Sequence, residues 1–135
     1  TQAEAASLPF VNDFFDTVGI SFAFRNLTYK NPVVELHLAE ISRVLIPGGR
    51  LVIVESSQPE SRLIRWCFHV YLRTFVYWTG WCLSGNNGAY KYLTESARRF
   101  FTPDQVREML KTAGFRDVSY RPLLFGAAGI HVAIK

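Results

Sequence analysis

Arg43-Val44-Leu45-Ile46-Pro47-Gly48-Gly49-Arg50-Leu51-Val52-Ile53-Val54 joins two different periodicities. Upstream, Val34, Leu38, Ile41 and Leu45 recur at helical spacing, with Glu35, Glu40 and Arg43 set apart, so 33–45 reads as an amphipathic helix. Pro32 suits its first turn. Gly48-Gly49 break the chain, and Leu51–Val54 is β-branched and apolar on both faces, as in a central parallel strand. Working outward, 17–24 reads as a second buried strand. Residues 103–113 read as a helix with Thr102 as N-cap, Pro103 in the first turn and Gly114 past the end. Arg116–Leu124 and Ile130–Lys135 read as closing strands joined through Gly126–Gly129. Strands alternating with helices predict an α/β layer, mostly parallel, with an antiparallel hairpin at its edge.

The 135 residues have room for one domain. Hydrophobic types make up 49% and charged types 19%, which excludes a disordered tail. The net charge of +4 carries no basic run, so nothing points to nucleic acid. It is compatible with a surface leaning toward anionic lipid. Cys67 and Cys82 have neither metal nor redox spacing and read as buried thiols in a reducing cytosol. His37, His69 and His131 have no ligand spacing, so no metal site is expected. The chain opens Thr1-Gln2-Ala3-Glu4, without Met, and reads as starting inside a longer unit.

Residues 60–84 stand apart. Arg62, Arg65, His69 and Arg73 step by three and four and share one helical stripe, while nearly everything else is apolar. His69 and Arg73 interrupt any membrane span. Three readings stay open: a core helix, a lid over a greasy ligand, or a helix lying on a membrane surface.

Ala5-Ala6-Ser7-Leu8-Pro9-Phe10, Phe15-Asp16 and the Arg43–Leu51 run together resemble the second half of a class I S-adenosylmethionine-dependent methyltransferase. Ile20-Ser21-Phe22-Ala23-Phe24-Arg25-Asn26-Leu27-Thr28, Tyr90-Lys91-Tyr92-Leu93-Thr94-Glu95-Ser96 with Arg98-Arg99-Phe100, and Ala113-Gly114-Phe115 narrow this. With Ile130-His131, they resemble the ubiquinone/menaquinone biosynthesis C-methyltransferase family over essentially the whole chain. The resemblance implies the C-terminal half of a Rossmann-like sheet, one partial domain over 1–135, with a hydrophobic helical lid inserted at 58–100. The family's glycine-rich cofactor loop, and the acidic residue that holds the ribose, have no counterpart here. The chain alone is therefore expected to bind S-adenosylmethionine weakly or not at all. Glu4 stands where the family has Asp or Asn, and Val132-Ala133-Ile134 replaces an Arg-Gly-Tyr.

The implied reaction moves a methyl from S-adenosylmethionine to a ring carbon of a demethylated polyprenyl quinol. By resemblance, Glu4 and Ala5 flank the adenine and Ser21 touches the cofactor. Arg25 and Asn26 overhang the reacting centre. Arginine is too basic to take the phenolic proton at neutral pH, so Arg25 stabilises the developing phenolate or orients a water. Asn26 fixes the quinol oxygen. Tyr90 and Tyr92, with Glu95 and Ser96, lie at the base of the lid, where tyrosines stack on a ring or simply pack, with Thr94 as a helix cap. His69 is suited to proton movement on the substrate side. His131 and Asp16 read as structural. Two other readings are carried forward. One is an inactive or truncated module that self-associates, or pairs with another chain, through the exposed edge of strand 17–24. The other is a methyltransferase for another lipid-like acceptor.

Overall fold

The computed structural model describes residues 2–28, 31–84 and 100–135. The strands are β1 (Phe15–Ser21), β2 (Leu45–Ser56), β3 (Arg116–Leu123) and β4 (Ala128–Ile134). The helices are α1 (Phe24–Thr28), α2 (Val34–Val44), α3 (Arg62–Tyr71), α4 (Tyr77–Ser84) and α5 (Pro103–Thr112). The strands form one sheet in the order β1-β2-β4-β3. β1 pairs parallel with β2, whereas β4 runs antiparallel to both β2 and β3. The α/β architecture and closing hairpin are as expected. Parallel pairing is confined to β1 and β2, because the last strand folds back between β2 and β3.

The β2 reading needs correction. Pro47-Gly48-Gly49 is not a break before the strand but a bulge within it. Phe15 faces Leu45 and Thr17 faces Arg50, so one residue of β1 spans four of β2. Gly48 takes a left-handed φ of +80° there, a conformation glycine adopts without penalty. The bulge is closed by the chain end: Gly48 N–H donates to Lys135 O at 3.1 Å and Lys135 N–H to Gly49 O at 3.0 Å.

The α5 signals were literal. Thr102 accepts the Gln105 N–H and its own N–H is met by the Gln105 side chain, a reciprocal capping box, with Pro103 in the first turn. Leu38 and Ile41 of α2 and Val106 and Leu110 of α5 pack with Leu51, Ile53, Ala133, Phe24, Phe100 and Phe115 in one core. Both helices therefore cover the face of the sheet that carries Leu51 and Ile53. The opposite face, with Val52, Val54, Ile130 and Val132 half-exposed, is not covered by either.

This explains a second correction. Strand 17–24 was read as buried, but β1 ends at Ser21 and is half-exposed. It is an edge strand, and Thr17, Gly19 and Ser21 are exposed. Beyond it, Phe22 at φ +50° turns the chain into α1, so Phe24 belongs to a helix.

Residues 62–84 are helical, with one wide turn at Leu72–Val76 where the Tyr77 N–H reaches back to Leu72 O. The core-helix reading fails for the described residues. α3 has no buried residue, while Leu63, Trp66, Phe75 and Trp78 are each more than half exposed. Cys67 and Cys82 share this outward side and are exposed, contrary to the buried-thiol expectation. No helix among the described residues is long and apolar enough to cross a membrane.

Candidate functional site

The parallel pair β1–β2 places its C-terminal ends side by side, Ser21 opposite Val54. Open α/β sheets bind ligands beyond such ends. The Phe22 N–H extends the ladder by one bond to Val54 O, 2.8 Å, before the turn. Arg25 and Asn26 follow on α1, so Ser21, Arg25 and Asn26 are gathered at one strand end. Asn26 is exposed, and its backbone N–H donates to Ala23 O at 2.9 Å. Arg25 is buried at 8% exposure and does not project freely from the loop. Ser21 lies on the uncovered face, and its hydroxyl has no hydrogen-bond partner among the described residues.

Glu4 and Ala5 sit in a separate turn, closed by Ser7 N–H to Glu4 O at 3.0 Å. The segment after it is held by α2. Glu40 and Arg43 form a two-point ion pair, Nε to Oε2 at 2.8 Å and Nη2 to Oε1 at 2.7 Å. Glu40 also accepts Leu8 N–H, and Arg43 donates to the carbonyls of Leu8 and Phe10. The Arg43 hydrogen bonds, then that from Leu8, hold the Glu40 carboxyl down at about 2. No hydrogen bond links Glu4 or Ala5 with Ser21 among the described residues. Tyr90, Tyr92, Glu95 and Ser96 lie outside the described residues, as does Thr94.

The segment Glu55–Pro59, leaving the end of β2, was not anticipated. Glu55, Ser57 and Gln58 are all buried, and each grips a different element. Glu55 Oε2 accepts Arg25 N–H of α1 at 3.2 Å. Ser57 Oγ accepts the Tyr120 hydroxyl of β3 at 3.2 Å. Gln58 Oε1 meets His69 Nε2 of α3 at 3.0 Å, and Arg65 Nε donates to Pro59 O at 2.7 Å. The polar stripe of α3 is thus split: Arg65 and His69 dock the helix, while Arg62 and Arg73 remain exposed. The sequence held a signal for this: Leu51, Ile53 and Glu55 alternate inward, so a charge ends an apolar series on the core side. Nearby, Gln58, Glu60, Ser61, Tyr120, Pro122, Phe125 and Gly126 line a cavity of about 260 Å³. None of the sequence-predicted site residues lines it.

His131, read as structural, is buried at 4% exposure, with Nδ1 unpartnered among the described residues and its ring tilted by 39° against that of Tyr120, centroids 4.7 Å apart. Burial, helped by the positive charge of Arg107, lowers its pKa to about 4. It is a neutral core group and not a proton carrier at neutral pH.

By their chemistry, Ser21 and Glu4 are the residues that could hold parts of a nucleoside-type methyl donor. A side chain built on Gly19 would meet nothing within 4 Å, so Gly19 and Ser21 leave a flat, open strand end with a free hydroxyl. The exposed Glu4 carboxylate is an acceptor suited to an exocyclic amine.

Comparison with known proteins bears on the family and the fold. The family model described as the ubiE/COQ5 methyltransferase family matches residues 1–135. A demethylmenaquinone methyltransferase of Thermus thermophilus is 42% identical over 131 residues, 97% of this chain and 57% of that protein. The ubiquinone/menaquinone biosynthesis C-methyltransferase UbiE of Stutzerimonas stutzeri is 35% identical over 134 residues, 99% of this chain and 51% of that protein. The chain thus spans about half the length of these relatives. Among solved structures, a SAM-dependent methyltransferase from Aquifex aeolicus superposes with a TM-score of 0.60 at 16% identity, covering 99% of this chain and 53% of that one. That likeness bears on the fold alone. The family match over every residue settles the kinship: this chain belongs to the ubiE/COQ5 methyltransferase family.

Proposed function

We propose that this chain forms the acceptor-side part of an S-adenosylmethionine-dependent methyltransferase acting on a ring carbon of a demethylated polyprenyl quinol. The observation that carries the reading is Arg25-Asn26 standing just beyond the C-terminal ends of a parallel strand pair, on a chain whose whole length matches the family.

Glu4, Ala5 and Ser21 are the residues that would hold S-adenosylmethionine, which supplies an activated methyl group when bound. The chain's own work is alignment and charge. The acceptor carbon must face the methyl at near-attack distance, and the phenolic oxygen must be stabilised as its proton leaves. Arg25 supplies fixed positive charge for that oxygen and does not take the proton. Asn26, exposed at the same place, donates from its amide to the quinol oxygen. Tyr90, Tyr92, Glu95 and Ser96 are acceptor-side assignments carried by the resemblance. His69 serves the site indirectly, by docking α3 on Gln58.

We assign the apolar outward side of 62–82 to the lipid part of the reaction, as a lid for the hydrocarbon tail that rests on an anionic membrane surface. Its exposed aromatics and flanking Arg62 and Arg73 support this, and Arg62–Ser84 contains no acidic residue. The second reading, self-association through the outer edge of β1, is supported by that strand's place at the end of the sheet.

The test is transfer of labelled methyl from S-adenosylmethionine to a demethylated quinol by protein expressed from the complete reading frame that contains this chain. Transfer to the quinol, lost on Arg25→Ala, supports the reading. Transfer only to unrelated phenols or sterols, or none with donor binding intact, refutes it.

A further inference from the structure

A fully buried carboxylate at the end of an apolar strand is an expense in folding, and nothing in the reaction above uses one. Glu55 is 2% exposed and continues the inward series Leu51, Ile53. Its partners are not side chains. One oxygen, Oε2, accepts the Arg25 N–H at 3.2 Å, and the other, Oε1, accepts the Ser56 N–H at 2.8 Å. No ion pair joins its carboxylate to Arg25 among the described residues. Across the register it faces Gly129, which places no side chain beside it.

The two bonds have different reach. Ser56 is the next residue, so its bond fixes the orientation of the carboxylate. Arg25 is 30 residues away in sequence, so its bond ties the tip of β2 to the first turn of α1. The first N–H groups of a helix have no partner within it, and negative charge is favoured there. α1 has only five residues, and its own sequence places no acidic residue in its first turn. β2 supplies that charge instead. On the other side α1 is held by His37, whose Nδ1–H donates to Leu27 O at 3.2 Å.

We propose that Glu55 is a positioning residue: it caps α1 from the neighbouring strand and so fixes where Arg25 and Asn26 stand relative to the acceptor. The proposal rests on the reading of Arg25 given above. Glutamine is an imperfect substitute, because both oxygens accept from N–H groups and an amide nitrogen would face one of them. Aspartate is a methylene too short to span from β2 to α1.

Amide hydrogen exchange in the native chain, Glu55→Gln and Glu55→Ala reads the cap directly. In Glu55→Ala the Arg25 amide should exchange about tenfold faster or more, while those of Ile53 and Leu110 stay within about twofold. In Glu55→Gln one of the Arg25 and Ser56 amides should be released and the other kept. An unchanged Arg25 amide overturns the proposal, and so does uniform acceleration at all sites, which would make Glu55 a general stabiliser. Should the alanine variant not fold, a through-hydrogen-bond coupling from the Arg25 nitrogen to the Glu55 carboxyl carbon in the native chain replaces it, and its absence is equally fatal. In methyl transfer by the complete reading frame, Glu55→Ala should lower kcat about tenfold at unchanged KM for the methyl donor. An unchanged kcat alongside a crippled Arg25→Ala overturns the positioning role. If Arg25→Ala itself keeps full kcat, the reading of Arg25 has failed instead.

Discussion

The ring of Tyr120 occupies the space that a side chain on Gly129 would need. A Cβ at 129 would sit 2.7 Å from Tyr120 Oη and 2.8 Å from Cζ. The ring is restrained, because its hydroxyl bonds Ser57 and it lies against the tilted ring of His131. Gly129→Ala should therefore destabilise the fold by about 1–3 kcal/mol, the usual range for overpacking. In a Tyr120→Ala background the penalty should largely vanish. Denaturant unfolding of the four proteins in this cycle decides it, and equal penalties in both backgrounds would refute the clash.

His131 gives the fold an acid sensitivity. Its pKa is lowered by burial, and then by Arg107, from 6.5 to about 4. The unfolded chain binds this proton first as pH falls, so stability drops below pH 6.5 and the loss is complete near pH 4. Over that window the loss is about 3 kcal/mol. His131→Phe keeps the ring against Tyr120, removes the unpartnered Nδ1, and should flatten this part of the stability-versus-pH curve. A curve of unchanged slope would show that another group is responsible.

The Glu40–Arg43 pair behaves in the opposite sense. Glu40 is held at about 2 by its hydrogen bonds from Arg43 and Leu8, so its contribution is present above 4.5 and lost only as pH falls through about 2. Protection of the Leu8 amide against exchange should hold from neutral pH to about pH 3. Arg43→Ala should release residues 8–12 together, since Leu8, Phe10 and Asn12 all accept from its guanidinium. Loss of Leu8 protection with a midpoint near the ordinary carboxylate value would contradict the pairing.

The outward helix should report lipid by its own fluorescence. Trp66, Trp78 and Trp81 are 64%, 55% and 42% exposed, so transfer to an apolar phase shifts their emission to the blue. We expect that shift with anionic vesicles, weakened by salt because Arg62 and Arg73 contribute through charge. Leu63→Asp with Phe75→Asp should abolish it. Emission unchanged on titration with anionic vesicles would remove the membrane surface from the reading.

The fold was legible where local chemistry decides it. Thr102, Pro103 and Gly114 bound a helix by capping alone, and Leu51–Val54 could hardly be anything but a strand. The errors arose where tertiary neighbours decide. Strand 17–24 is apolar enough for a core, yet β1 is an edge with one face left open. Pro47-Gly48-Gly49 looks like punctuation until the chain end at Lys135 pairs with it. Cys67 and Cys82 look like core residues, but Arg65 and His69 turn toward Pro59 and Gln58 and leave the thiols outside. Arg25 and Asn26 enter through family context alone, and their place after β1 follows from sequence order. Glu55 was missed because a Glu after an apolar run reads as the strand reaching solvent, and only the inward alternation says otherwise.

The wide turn at Leu72–Val76 sets the phase of everything after it. Each residue of an α-helix advances the next by about 100°, so the one extra residue accommodated there acts as a clocking element between α3 and α4. Leu63, Trp66 and Val70 before it and Trp78 and Trp81 after it all stay exposed. Were 72–76 to wind as ordinary α-helix with no residue removed, both later indoles would turn by about 100° relative to Trp66. One continuous greasy band would become two bands that no flat surface could meet at once.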